Sequence, residues 1–121
     1  MTLLLVWMLF LHWFGDFVFQ TRWMADNKSK NIEALTLHVF VYSLVLWIGV
    51  YVTTLYYIND LCRFVICNFL LHWTTDFWTS KMTKQAVEEK NTHKFFAIIG
   101  FDQFVHTSTL ILTLQYLLGI S

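Results

Sequence analysis

Apolar residues in this chain collect into four long stretches, at residues 2–21, 34–58, 61–80 and 95–120, and the main polar segments lie at 22–33 and 81–94. Each stretch holds about 20 residues or more, the length at which an α-helix crosses a hydrocarbon core of about 30 Å. The second contains no Asp, Glu, Lys or Arg. Proline is absent throughout, which favours unbroken helices. Asn59 and Asp60 interrupt the apolar run between the second and third stretches and predict a tight turn there. The pattern predicts an all-α, four-transmembrane-helix, up-down-up-down bundle, forming a single integral membrane domain over residues 1–121.

Composition agrees with a membrane setting. Only 13% of residues are charged, against 57% hydrophobic, and the mean hydropathy is +0.54; a soluble domain carries about a quarter charged residues. No basic flank opens the first stretch and no small-residue cleavage site follows it, so a retained span is expected there, not a signal peptide. The formal net charge is zero, which removes any global case for nucleic-acid binding. Cys62 and Cys67 suit neither a disulfide nor a zinc-finger spacing and read as apolar filler.

The basic residues are unevenly placed. Arg22, Lys28 and Lys30 lie in the first polar segment, Lys81, Lys84, Lys90 and Lys94 in the second, and Arg63 alone near the opposite end. This bias assigns segments 22–33 and 81–94 to the cytoplasmic side of the membrane, with both termini outside.

One motif occurs twice. Leu11-His12-Trp13-Phe14-Gly15-Asp16-Phe17 is echoed sixty positions later by Leu71-His72-Trp73-Thr74-Thr75-Asp76-Phe77. Residues four apart share a helix face, so each copy aims an imidazole and a carboxylate at one point. His38-Val39-Phe40-Val41-Tyr42 likewise resembles Asp102-Gln103-Phe104-Val105-His106. Two repeated helical hairpins in the same orientation imply a pseudo-two-fold axis along the membrane normal, with a site at their interface.

Seven ligand-type side chains then fall at one depth in the cytoplasmic half: His12, Asp16, His38, His72, Asp76, Asp102 and His106. Ionisable groups at such a depth are costly and mark function. Four imidazoles and three carboxylates exceed the needs of one tetrahedral ion. No lysine or arginine is expected at that level to balance the aspartates, so divalent cations are the missing positive charge, with two ions expected. Nitrogen and oxygen donors without a thiolate point to Zn first, with Fe or Mn as alternatives. Gln20 and Gln103 are candidates to orient the ligands. Tyr42, which takes the place of His106 in the other half, is a candidate phenolic donor. His93 reads as a solvated loop residue. A metal pair of this kind clamps an oxyanion, the usual apparatus for phosphoester hydrolysis, and lipid headgroups are the substrates within reach. Asp76 and Asp102 are the candidate catalytic carboxylates.

The same residues carry a resemblance. His12, Asp16, Phe17 and Gln20, followed by Lys28, His38, the pair His72 and Asp76, and the closing Asp102, Gln103 and His106 resemble the pattern of a family of small bacterial and phage membrane proteins of unassigned function. The match covers nearly the whole chain. That family is distantly similar to membrane-bound metal-dependent hydrolases, and the resemblance implies a bacterial inner (plasma) membrane setting, metal ligation and hydrolysis here.

The expected function is therefore hydrolysis of a lipid or lipid-linked phosphoester near the cytoplasmic face. One alternative is a non-enzymatic membrane partner protein, in one version phage-encoded, whose metal site is structural. Another is a proton or metal transport pathway. A small aromatic-rich bundle also suits association with itself or with another membrane protein.

Overall fold

The structure, a computed structural model, describes residues 2–54 and 58–119. Among these the regular elements are all helical. Helix α1 (Thr2–Trp13) runs into a π-helical turn (Phe14–Val18), followed by α2 (Arg22–Asn27), α3 (Ile32–Thr54), α4 (Ile58–Glu88) and α5 (Thr92–Leu118).

Successive long helices run antiparallel. Trp7 meets Gly49 and His12 meets Tyr42 between α1 and α3, and Thr36 meets Trp73 between α3 and α4. Between α4 and α5, the most extensive pairing in the fold, Asn68 meets Thr113 and Thr79 meets Asp102. One end of the bundle is an apolar plug in which Met8, Leu11, Leu46, Val50, Phe64, Leu110 and Leu114 are buried together. The polar turns lie at the other end.

Gly49 sets the spacing of α1 against α3. A methyl group there would run into the buried side chain of Leu11, and the Trp7 indole N–H donates to the Gly49 carbonyl at 3.3 Å. Gly49→Ala is therefore expected to destabilise the fold by about 1–3 kcal/mol through overpacking. Thermal unfolding of the Gly49→Ala/Leu11→Ala pair should show a loss smaller than the two single losses combined. Strict additivity would mean that the two groups do not collide.

Several boundaries differ from the sequence pattern. The first apolar helix ends at Val18, where the backbone widens and the Phe19 N–H bonds the Phe14 carbonyl at 3.0 Å. Thr21 Oγ1 then caps α2, accepting from the Met24 N–H at 3.2 Å, so the first polar segment is partly helical. Asn59 and Asp60 do not form a turn. They lie in the first turn of α4, where a carboxylate complements the helix dipole; the connection at 55–57 lies outside the described residues. The second polar segment is helical as far as Glu88, because residues 81–88 include good helix formers and neither Pro nor Gly. The chain turns at Lys90, which is left-handed at φ 54, and the Asn91 side chain caps α5 by accepting from the Lys94 N–H at 2.9 Å. His93 is exposed, as expected, but sits in the first turn of α5 instead of a loop. Both cysteines are free, and Cys62 is exposed, so it fills no core. Two helical segments, Ile32–Thr53 and Thr92–Leu118, are long and apolar enough to cross a membrane; the apolar helix at Thr2–Val18 is shorter.

Candidate metal centre

Between the apolar plug and the polar turns the bundle encloses the seven expected side chains. α1 and its π turn supply His12 and Asp16, α3 supplies His38, α4 supplies His72 and Asp76, and α5 supplies Asp102 and His106. All are buried except Asp102, whose side chain is 14% exposed. The π turn is part of how this happens. A methyl group on Gly15 would stand 3.0 Å from the Tyr42 ring, so glycine lets the widened backbone lie against α3. There Asp16 accepts from His38 Nε2 at 3.0 Å.

Four atoms form a cage. His38 Nε2 lies 3.0 Å from Asp16 Oδ1 and 3.4 Å from Asp76 Oδ2. His72 Nε2 lies 3.3 Å and 3.5 Å from the same two oxygens. A tetrahedral ion with bonds of about 2.0–2.1 Å holds its ligands about 3.3–3.4 Å apart. The measured edges bracket that value. Hydrogen bonding does not account for all four, because each imidazole stands between two acceptors with one proton to give. His38 gives its proton to Asp16, whereas His72 Nε2 makes no hydrogen bond at all. A buried polar atom left in this state costs about 1–3 kcal/mol. A cation among the four atoms would supply the missing partner. The Nδ1 atoms of His38 and His72 also lack partners; His38 is held by its bond to Asp16, and His72 by packing, stacked on His106 with centroids 3.9 Å apart.

A second group adjoins the first. Donor atoms of Asp16, Asp102 and His106 lie within 4.8 Å of one another. His106 Nε2 is 2.8 Å from Asp76 Oδ1 and 3.3 Å from Asp102 Oδ1. Both groups can hold a metal ion.

His12 is placed differently. The Gln103 amide nitrogen faces two carboxylates, donating to Asp16 at 2.9 Å and Asp102 at 3.1 Å. Its oxygen therefore faces His12 Nε2, at 2.8 Å, and must accept from it. That fixes the neutral tautomer, so His12 Nδ1 accepts from the Tyr42 hydroxyl at 3.0 Å. Both ring nitrogens are thus engaged, and His12 acts on the cluster through Gln103. Gln20 lies beside Asp16 with its side-chain oxygen buried and unpartnered.

One expectation fails. Lys28, from the first polar segment, reaches the cluster: its Nζ is 2.9 Å from Asp76 Oδ2 and its side chain is 19% exposed. α2 packs that segment against α3, and Lys28 is its C-cap. Burial pulls the ammonium pKa down, but Asp76, Asp16 and Asp102 outweigh this and hold it above the usual lysine value. The aspartates therefore have one permanent countercharge. One ammonium against three carboxylates still leaves the cluster short of positive charge unless imidazoles protonate or cations bind. Thr79 was also not foreseen; it donates to Asp102 at 2.5 Å. Its position three residues after Asp76 puts it on the same helix face, a signal that was present in the sequence.

Fold and site together define an all-helical protein with a buried His/Asp cluster able to hold metal. The chain belongs to the family described as “Protein of unknown function (DUF3307)”, whose profile matches residues 4–120. No curated protein and no solved structure matches it.

Proposed function

We propose that this chain is a four-span membrane protein that binds two divalent ions and hydrolyses a lipid-linked phosphoester near the cytoplasmic face. The observation that carries the metal reading is the cage of His38, His72, Asp16 and Asp76, with edges of 3.0 to 3.5 Å and a buried histidine nitrogen that lacks a hydrogen bond. Asp16, His38, His72 and Asp76 would hold one ion and Asp16, Asp102 and His106 the other, so Asp16 would belong to both sets. The donor set favours Zn, then Fe or Mn. Bound ions of this type supply Lewis acidity toward a phosphoryl oxygen. Around them Gln103 and Thr79 fix Asp102, and Gln103 couples Asp16 to His12. Of the two catalytic candidates, Asp102 is the one a substrate can touch, since Asp76 is 1% exposed.

The outward surface supports four spans. α4 has two faces, and averaging along the helix mixes them. His72, Asp76 and Thr79 point inward, while Ile66, Leu70, Leu71 and Trp78 are exposed. The exposed charges that bound this outer face are Arg63 and Lys81, about 27 Å apart at 1.5 Å per residue, close to the thickness of a hydrocarbon core. Leu3, Val6, Phe10 and Trp13 continue the apolar surface on α1, and Phe101, Phe104 and Leu112 on α5. Apolar surface on this scale calls for lipid or a partner.

The plug formed by Leu46, Val50, Phe64, Leu110 and Leu114 closes the far end of the bundle and disfavours the transport alternative. Metal analysis tests the rest. Purified chain should carry about two ions, and His72→Ala should lose the ion of the cage. Chelator-sensitive release of phosphate from a lipid phosphoester should disappear in Asp76→Asn. A metal-replete preparation without ions would remove the metal reading. Full metal content with no hydrolysis would leave the structural-site alternative.

A further inference from the structure

Beside the cluster, on the side of the polar turns, lies a cavity of about 240 Å³. Gln20, Lys28, Thr79, Ser80, Thr83 and Asp102 line it. We propose that this cavity binds a phosphoryl group and that Lys28 is the residue that selects it. The inference rests on the metal reading given above.

The wall chemistry is the first argument. Lys28, the unpartnered Ser80 hydroxyl and the Gln20 side-chain amide give the cavity one ammonium and neutral donors, a set suited to a group rich in anionic oxygen, while the Thr79 and Thr83 hydroxyls already donate to Asp102 and to the Ser80 carbonyl. Ser80 is 6% exposed and its hydroxyl has no partner. Lys28 stands at the boundary, bonded to Asp76 of the cluster and forming part of the cavity wall. It also lines a neighbouring pocket with Lys30 and Lys81, so the approach to Lys28 is basic.

Size is the second. At about 240 Å³ the cavity is smaller than the usual range for drug-sized ligands. A phosphoryl headgroup fits; the body of a lipid does not. Phe17, Phe95 and Ile99 form the apolar part of the wall, which suits the chain of a substrate whose remainder stays outside.

The third argument is electrostatic. Asp16 and Asp102 also face this space, and they repel an anion while their charge is unmet. Phosphoryl binding should therefore require loaded metal. A purely structural Lys28, serving only as countercharge to Asp76, predicts no contribution of its own to anion affinity.

The test uses the full chain in nanodiscs loaded with Zn²⁺, with inorganic phosphate titrated by calorimetry and metal content measured on the same samples. Phosphate should bind the loaded chain and bind the metal-free chain at least about tenfold more weakly. Lys28→Met should weaken binding by about tenfold or more at unchanged metal content, and Lys28→Arg should retain most of it. Should Lys28→Met fail to fold, Ser80→Ala must show the same selective loss. Equal phosphate affinity in these variants, equal affinity in the metal-free chain, or no binding to loaded wild type overturns the proposal while leaving the metal reading intact. A wild-type chain that takes up no Zn²⁺ overturns both, and does so in the metal assay alone. Competition by phosphatidic acid in the nanodisc assigns the phosphoryl group to a lipid, and competition only by glycerol phosphate in solution assigns it to a soluble ester. Competition by neither overturns the site.

Discussion

Asp76→Ala is expected to strip the cage of its metal and to lower stability by about 3–5 kcal/mol, the cost of leaving buried charge uncompensated. Asp76 is 1% exposed and accepts from Lys28 at 2.9 Å and His106 at 2.8 Å. The Nε2 atoms of His38 and His72 stand 3.4 Å and 3.5 Å from its Oδ2. Removing it leaves the Lys28 ammonium without its nearest anion and the cage without one of four donors. Asp76→Asn separates the two losses: it keeps the volume and an acceptor for His106 but removes the charge. It should therefore unfold between wild type and Asp76→Ala while binding as little metal as the latter. Added metal should stabilise wild type through the cage ion by about 2.7 kcal/mol at a hundredfold excess over its dissociation constant, a contribution both variants should lack. Metal content and thermal unfolding of detergent-solubilised protein check this. An Asp76→Ala chain that keeps its metal and unfolds at the wild-type temperature would rule out the cage.

Much of this site is legible in the sequence because helices convert spacing into direction. The spacing of four residues in His12 with Asp16, and again in His72 with Asp76, places each pair on one face. The long apolar runs around them leave few choices of depth. What the spacing does not reveal is which nitrogen atoms are already engaged. His12 and His72 occupy equivalent positions in the repeat, yet His12 is bonded at both nitrogens and His72 at neither. The difference arises because Gln103, on a third helix, has carboxylates for its amide nitrogen and so turns its oxygen to His12.

The features that were not legible are those set by chain reversal and local backbone. Lys28 sits in a polar segment whose composition says only that it contacts water, and the packing of α2 against α3 is a tertiary fact. The π turn depends on Gly15 resting against Tyr42, a contact between positions far apart in the chain. The extent of α4 escapes the hydrophobic pattern for a related reason. Polarity at 81–88 marks where the helix leaves its apolar surroundings, not where it ends; the backbone continues until Lys90 and Asn91 break it. Thr83, on that continuation, becomes cavity wall beside Thr79 and Ser80.

Leu70→Asp is expected to prevent stable membrane insertion of the chain. Leu70 is 60% exposed on the outer face of α4, between Arg63 and Lys81. On a soluble protein an exposed leucine replaced by aspartate changes stability by no more than about 0.5 kcal/mol. Near the middle of a transmembrane helix an aspartate costs about 2.5–3.5 kcal/mol on insertion scales. α4 has little margin for such a cost, since its inner face already carries Asp76 and its polar extension reaches Glu88. Cys62→Asp, beside Arg63 and also exposed, is the matched control: at the edge of the band the carboxylate stays near water and the effect should be small. The fraction of chain retained in membranes after carbonate extraction, with the yield of folded protein, reads the difference. If the Leu70→Asp and Cys62→Asp chains partition alike, α4 does not face lipid, and the apolar surface from Ile66 to Trp78 needs a protein partner to cover it.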